Sequence, residues 1–183
     1  MEALHSEPAN DFNYTSDPGS RCPFHAHIRK VNPRGTGGAE PEPQERLHIM
    51  ARRGITFEDI KRDFHPDELP ESKSMAEFLA KVAPKLPVNG VGLLFMAYNN
   101  TIARQFKFTQ QTWANNQNFP IPGVHGIDPV IGQGATNSTA QVLAKEWDNL
   151  AAGTSNATQF SGFVHMKGGE YFFSPSLTFL KNL

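Results

Sequence analysis

The chain has 183 residues, with 17 lysines and arginines against 18 aspartates and glutamates and a net charge of −1. That balance gives no electrostatic case for nucleic acid or an anionic membrane surface, and no stretch approaches the ~20 apolar residues of a membrane-spanning helix. Fourteen phenylalanines imply a large apolar interior or pocket, and the single cysteine, Cys22, excludes an intrachain disulfide.

Residues 1–10 read as an arm on a single domain spanning 1–183. Met1–Pro8 has no basic region followed by an apolar one, so no secretory leader is expected and the setting reads as cytoplasmic. From Asp17 the chain runs Asp-Pro-Gly-Ser-Arg-Cys-Pro-Phe-His-Ala-His-Ile-Arg-Lys-Val-Asn-Pro-Arg34. Asp17-Pro18-Gly19 predicts a turn, Asn32-Pro33 a helix stop, and the stretch between Pro23 and Pro33 holds about two helical turns. That helix would carry two imidazoles, with Arg29, Lys30 and Arg34 close behind. Imidazole offers a neutral nitrogen to a metal and the cations can hold carboxylates, a combination that suits an iron porphyrin with propionates. The plainer reading is a satisfied core histidine. A third is a zinc array of Cys22, His25 and His27, which lacks a fourth ligand.

Gly35–Arg46 reads as a surface loop, and Leu47–Phe57 as a basic, partly exposed strand edge or turn. Ser72 or Ser74 caps a predicted helix over Met75–Val82, with Met75, Phe78, Leu79 and Val82 at helical spacing. Gly92–Tyr98 is a continuous apolar run whose length predicts a central strand buried on both faces. Leu93, Phe95 and Ala97 share one face of it; Leu94, Met96 and Tyr98 share the other. Asn100 or Thr101 opens a predicted helix through about Asn115, with Ile102, Phe106 and Trp113 on one stripe. Gly126-Ile-Asp-Pro129 reads as a turn. Gln141–Leu150 is expected to be helical with Trp147 packed, Gly162–Phe173 to be a hairpin around Lys167-Gly-Gly169, and Ser174-Pro175 to open a terminal helix through Leu177 and Leu180.

Arg21-Cys-Pro-Phe-His-Ala-His-Ile-Arg-Lys-Val-Asn-Pro-Arg34 resembles the proximal haem segment of dye-decolorising peroxidases, Cys-Pro-x-x-Ala-His-Ile-Arg-x-x-Asn-Pro-Arg. The resemblance continues in Arg52-Arg-Gly-Ile-Thr-Phe57, in Gly92-Leu-Leu-Phe95, in the run from Ile102 to Trp113, and in Lys167–Leu180. It implies that haem b (iron protoporphyrin IX) is held through His27, with His25 facing elsewhere, and that Arg29 and Arg34 are cofactor-binding. It implies that Arg52, Leu93 and Phe95 lie over the distal face. Asp128 then matches the carboxylate that takes the other N–H of the axial histidine, making it a stronger donor. Arg52 and Asp128 would be the catalytic pair: a fixed guanidinium suits a peroxide whose O–O bond breaks with charge building on the departing oxygen. The implied fold is α+β, a ferredoxin-like antiparallel sheet of the dimeric α+β barrel type with helices on one face.

The sequence departs from the family at Glu58, where a glycine is usual, and it contains no Gly-x-x-Asp-Gly. That motif lies in the N-terminal half of typical members and supplies a proton-shuttling aspartate. The resemblance thus reaches only the C-terminal half. The implied activity is hydrogen-peroxide-dependent oxidation of bulky organic donors, impaired or partner-dependent without that aspartate, since general acid–base help is worth ~10²–10⁴ in rate. The alternative is a non-enzymatic haem-binding subunit. The expected partners are a second copy of the chain or a separately encoded N-terminal half.

Overall fold

The computed structural model describes residues 11–60, 74–122, 126–134, 141–155 and 162–183; the expected arm over 1–10 and Ser72 lie outside them. Elements follow in the order α1 (His27–Lys30), α2 (Glu42–Glu45), β1 (Ala51–Glu58), α3 (Met75–Val82), β2 (Val91–Tyr98), α4 (Phe106–Phe108), β3 (Ala144–Glu146), β4 (Asn149–Thr154) and α5 (Leu177–Lys181). Antiparallel β1–β2 and β3–β4 pairs with short helices make this an α+β chain. It divides into two compact units, Met50–Asn100 and the remainder.

The Met50–Asn100 unit is a two-stranded antiparallel ribbon with α3 in its connection. Ser74 caps α3 by accepting the Glu77 N–H at 3.2 Å, which relieves one of the unpaired donors of the first turn. The register pairs Arg52 with Ala97, Gly54 with Phe95 and Thr56 with Leu93. Directly paired residues share a face, so Arg52, Leu93, Phe95 and Ala97 line one side. Arg53, Ile55, Phe57, Leu94, Met96 and Tyr98 line the other. The strand over Gly92–Tyr98 therefore forms with the expected faces, but it is not buried: Leu93, Leu94, Phe95 and Met96 are each about half exposed. A two-stranded ribbon has no second layer to close over it.

In the other unit the core is built from Tyr14, Trp113, Ala114, Phe119 and Ile127, together with an unusual set of buried polar groups: Arg29, Lys30, Glu45, His48, Asp128 and Gln141. α1 is one turn rather than two. After Thr101 the chain makes a turn, then α4, and then a π-helical segment over Thr109–Ala114, instead of one α-helix to Asn115. The Lys107 N–H reaches the Ile102 carbonyl and the Asn115 N–H the Gln110 carbonyl, each five residues back. This wide turn carries Trp113, which stacks on Phe119 (5.6 Å) and meets His48 edge-on (5.0 Å).

Three other expectations change. Residues 144–154 form the β3–β4 hairpin, not a helix, and Trp147 stands 76 % exposed at its tip. Asp148 there takes a left-handed conformation (φ 57°) and Arg21 bridges to it at 2.5 Å, a turn geometry that overrides the helical propensity of the preceding residues. Over 162–173 no strand ladder forms; instead Gln133 bonds the Val164 carbonyl and the Met166 N–H. α5 starts two residues later than expected, with Ser176 as its cap, accepting the Phe179 N–H.

Candidate haem-ligand site

Asp17 organises the approach to α1. Its carboxylate accepts the N–H groups of Gly19, Ser20, Arg21 and Cys22 at 2.8–3.1 Å. Burial works to raise this carboxyl, but the backbone N–H groups of Cys22, Arg21 and Gly19 and the charge of Arg29 outweigh it and hold Asp17 below its ordinary value. Arg29 is fully buried. Its guanidinium donates to Asp17 (3.1 Å), to the Cys22 carbonyl (2.6 Å) and to the Asp17 carbonyl (2.9 Å), and lies over the rings of Phe24 (4.0 Å) and Tyr14 (4.7 Å). The expected cofactor-binding arginine at 29 is thus committed to holding the turn. Arg34, half-buried, bonds the Phe12 carbonyl at 3.2 Å and covers the Phe12 ring.

This frame sets His27 as the first residue of α1 and His25 just ahead of it, buried. His27 keeps a third of its side chain exposed, and its Nδ1 lies 2.9 and 3.1 Å from the two carboxylate oxygens of the fully buried Asp128. Oδ1 of Asp128 already accepts the Val130 and Ile131 N–H groups at 2.8 Å each. An oxygen so occupied is an acceptor, so the shared proton belongs on Nδ1 and the lone pair of the ring on Nε2. Among the described residues Nε2 has no hydrogen-bond partner. Asp128 is both the turn aspartate and the histidine's partner.

The loop carrying Asp128 is tied on every side. The Asp128 N–H donates to the Ala114 carbonyl at 2.7 Å. Gln110 bonds the Ile131 carbonyl, Asn115 accepts the Gln133 N–H, and Gln141 bonds the Ile127 carbonyl. Gly132 packs so closely that a Cβ there would collide with the Asp128 carbonyl oxygen. The signal for these amides in the sequence is Gln110-Gln-Thr-Trp-Ala-Asn-Asn-Gln-Asn118, which is too rich in them for a simple core helix. Cys22, His25 and His27 do not converge: among the described residues no three His, Cys, Asp or Glu side chains form a metal-binding group.

Lys30, one turn after His27, is also fully buried. Burial pushes its ammonium down to about 8 from an ordinary 10.5, with the charge of Asp128 opposing. The unfolded chain keeps that proton up to pH 10.5 while the folded chain releases it near pH 8, so stability should rise with pH between the two. Urea titrations at both ends of this window are expected to show the rise in the wild type and its absence in Lys30→Met.

In the other unit, Arg52, Leu93 and Phe95 share one exposed face of the ribbon. Among the described residues the Arg52 guanidinium makes no hydrogen bond or ion pair.

No protein-family model matches the chain. The multifunctional dye peroxidase DyP2 of Amycolatopsis is 50 % identical over 185 aligned positions, covering 98 % of this chain and 36 % of the relative. Its solved structure superposes with a TM-score of 0.74, at 48 % identity, over all of this chain and 37 % of that one. A dye-decolorizing peroxidase of Mycetinis scorodonius is 36 % identical over 189 positions, covering 99 % of this chain and 33 % of the relative. A DyP-type peroxidase structure from Anabaena matches with a TM-score of 0.69 at 36 % identity, covering 99 % of this chain and 34 % of that one. The chain spans about a third of the length of the relatives it matches, a share that fits their C-terminal part. With the fold in agreement, the chain matches the C-terminal part of dye-decolorising peroxidases over nearly its whole length.

Proposed function

We propose that the chain is a haem-binding peroxidase domain, with His27 as the iron ligand, Asp128 as the partner that aims it and Arg52 as the residue that meets hydrogen peroxide. The observation that carries this is the 2.9 Å contact between His27 Nδ1 and Asp128: a buried carboxylate fixes the tautomer and leaves Nε2 with the lone pair a metal needs. The donor set suits the iron of a b-type haem, and Arg34 would offer its charge to a propionate. Leu93 and Phe95 would keep water from the peroxide side. The bound haem supplies the two-electron reduction of peroxide and the oxidation of bulky organic donors. The residues aim the imidazole, hold its Nδ1 proton and offer a fixed positive charge to the peroxide.

We also propose that the β1–β2 ribbon belongs to a ferredoxin-like sheet of the dimeric α+β barrel type, completed by a second copy of the chain. Its exposed Ile55, Phe57, Leu94 and Met96 form the kind of apolar surface that seeks cover. Sedimentation as a compact haem-loaded monomer would count against that.

Haem titration is the test of the ligand. A Soret band is expected in the wild type and is expected to be missing in His27→Ala; a band that survives in His27→Ala removes the proposal. Asp128→Asn should weaken haem affinity or activity by about 10–100-fold, measured by competition with apomyoglobin and by dye oxidation.

A further inference from the structure

The pairing of His27 with Asp128 closes a circuit through the fold. From His27 the path runs along α1 to Lys30, whose Nζ donates to the carbonyls of Asn116 (2.8 Å) and Phe119 (2.5 Å). From Asn116 it runs back along the chain to Ala114, whose carbonyl takes the Asp128 N–H. The Asp128 carboxylate then returns to His27 Nδ1. Each link is buried or half-buried, and Lys30 is the polar connection between α1 and the 116–119 turn.

An ammonium is an odd choice for that connection. Among the described residues no carboxylate oxygen lies within ion-pairing distance of its Nζ, and an amide would cost less to bury. What lysine adds is reach and several donors: one side chain gathers two carbonyls of the same turn, with its tip near the Phe119 ring (5.7 Å).

We propose that Lys30 is a positioning residue that locks the His27 ring against Asp128 by fastening α1 to the turn that directly follows the Ala114 anchor. The inference rests on His27 and Asp128 being the working pair proposed above, but its test is read in the haem-free protein. Failure to bind haem would therefore defeat the proposed function without touching this result.

The test is the exchange rate of the hydrogen-bonded Nδ1–H of His27 with solvent, followed by NMR in ¹⁵N-histidine-labelled protein. Lys30→Met keeps the length and removes the donors; exchange should be at least ten-fold faster. Lys30→Arg keeps donors and charge and should restore most of the protection. Wild-type exchange in folded Lys30→Met overturns the proposal. Should Lys30→Met not fold, Lys30→Gln, which retains one donating group, decides: faster exchange supports the lock and wild-type exchange removes it. A double-mutant cycle in urea gives the independent readout. Lys30→Met should cost several-fold less in the unfolding constant once Asp128→Asn is present, whereas additive effects would show that Lys30 merely fills space.

Discussion

Arg29→Met is expected to remove about 3–5 kcal/mol of stability, the usual result of taking one partner from a buried ion pair. The guanidinium is fully buried, and its loss takes the counter-charge from the Asp17 carboxylate, which keeps its backbone N–H groups, and a donor from the carbonyls of Cys22 and Asp17. Methionine fills the space between Tyr14 and Phe24 but donates nothing, so the loss reads polar pairing more than packing. Against the ~5–15 kcal/mol of a typical domain this is a large share, and the urea midpoint should fall accordingly. Because Asp17 is held below its ordinary value, its contribution is present above the unfolded-state value and is lost as pH falls through the lower, folded one. The gap between wild type and variant should therefore narrow in acid. A loss below about 1 kcal/mol at neutral pH, the scale of a single ordinary hydrogen bond, would mean that the turn holds without its clamp.

Arg52→Leu should leave the Soret band in place and lower peroxide-dependent dye oxidation by about 10²–10³-fold, as loss of one fixed charge-stabilising donor does elsewhere. Arg52 occupies the face of the ribbon that also bears Leu93 and Phe95, with small Ala97 across from it, so the substitution removes charge without disturbing a packed neighbour. Arg52→Lys should fall between the two, because an ammonium is a point charge without the guanidinium's planar fork. Unchanged dye oxidation in Arg52→Leu would remove Arg52 from the reaction. An inactive wild type that still shows the Soret band would favour the passive haem-binding reading.

The histidine segment was the most legible part of the chain because its chemistry is local. Two prolines bound a short helix, and the motif singles out position 27, which the structure leaves one-third exposed, over position 25, which it buries. Alternation along Gly92–Tyr98 foretold which residues share a face, since a strand's period of two needs no tertiary knowledge. What the strand packs against does need it, and the apolar run alone predicts a burial that the ribbon does not have. Gln141–Leu150 misled for the opposite reason. Its residues favour a helix one at a time, and the decision for a hairpin came from a left-handed Asp148 tied to Arg21, 127 positions away. Arg29 and Lys30 look like solvated charges in any window of sequence. Their burial depends on acceptors supplied by Asp17 and by the turn at Asn116–Phe119, which no periodicity reveals.

The π-helical segment over Thr109–Ala114 carries one more residue per turn than the α-helix it replaces, so chain length there is itself a structural variable. Inserting a further residue ahead of Trp113, which the wide turn cannot absorb a second time, would swing everything beyond the insertion by about 100°. The carbonyl of Ala114 would leave the amide of Asp128, and Trp113 would turn from the core. Neighbouring surface loops should accept insertions freely, while this interior stretch should accept no further one.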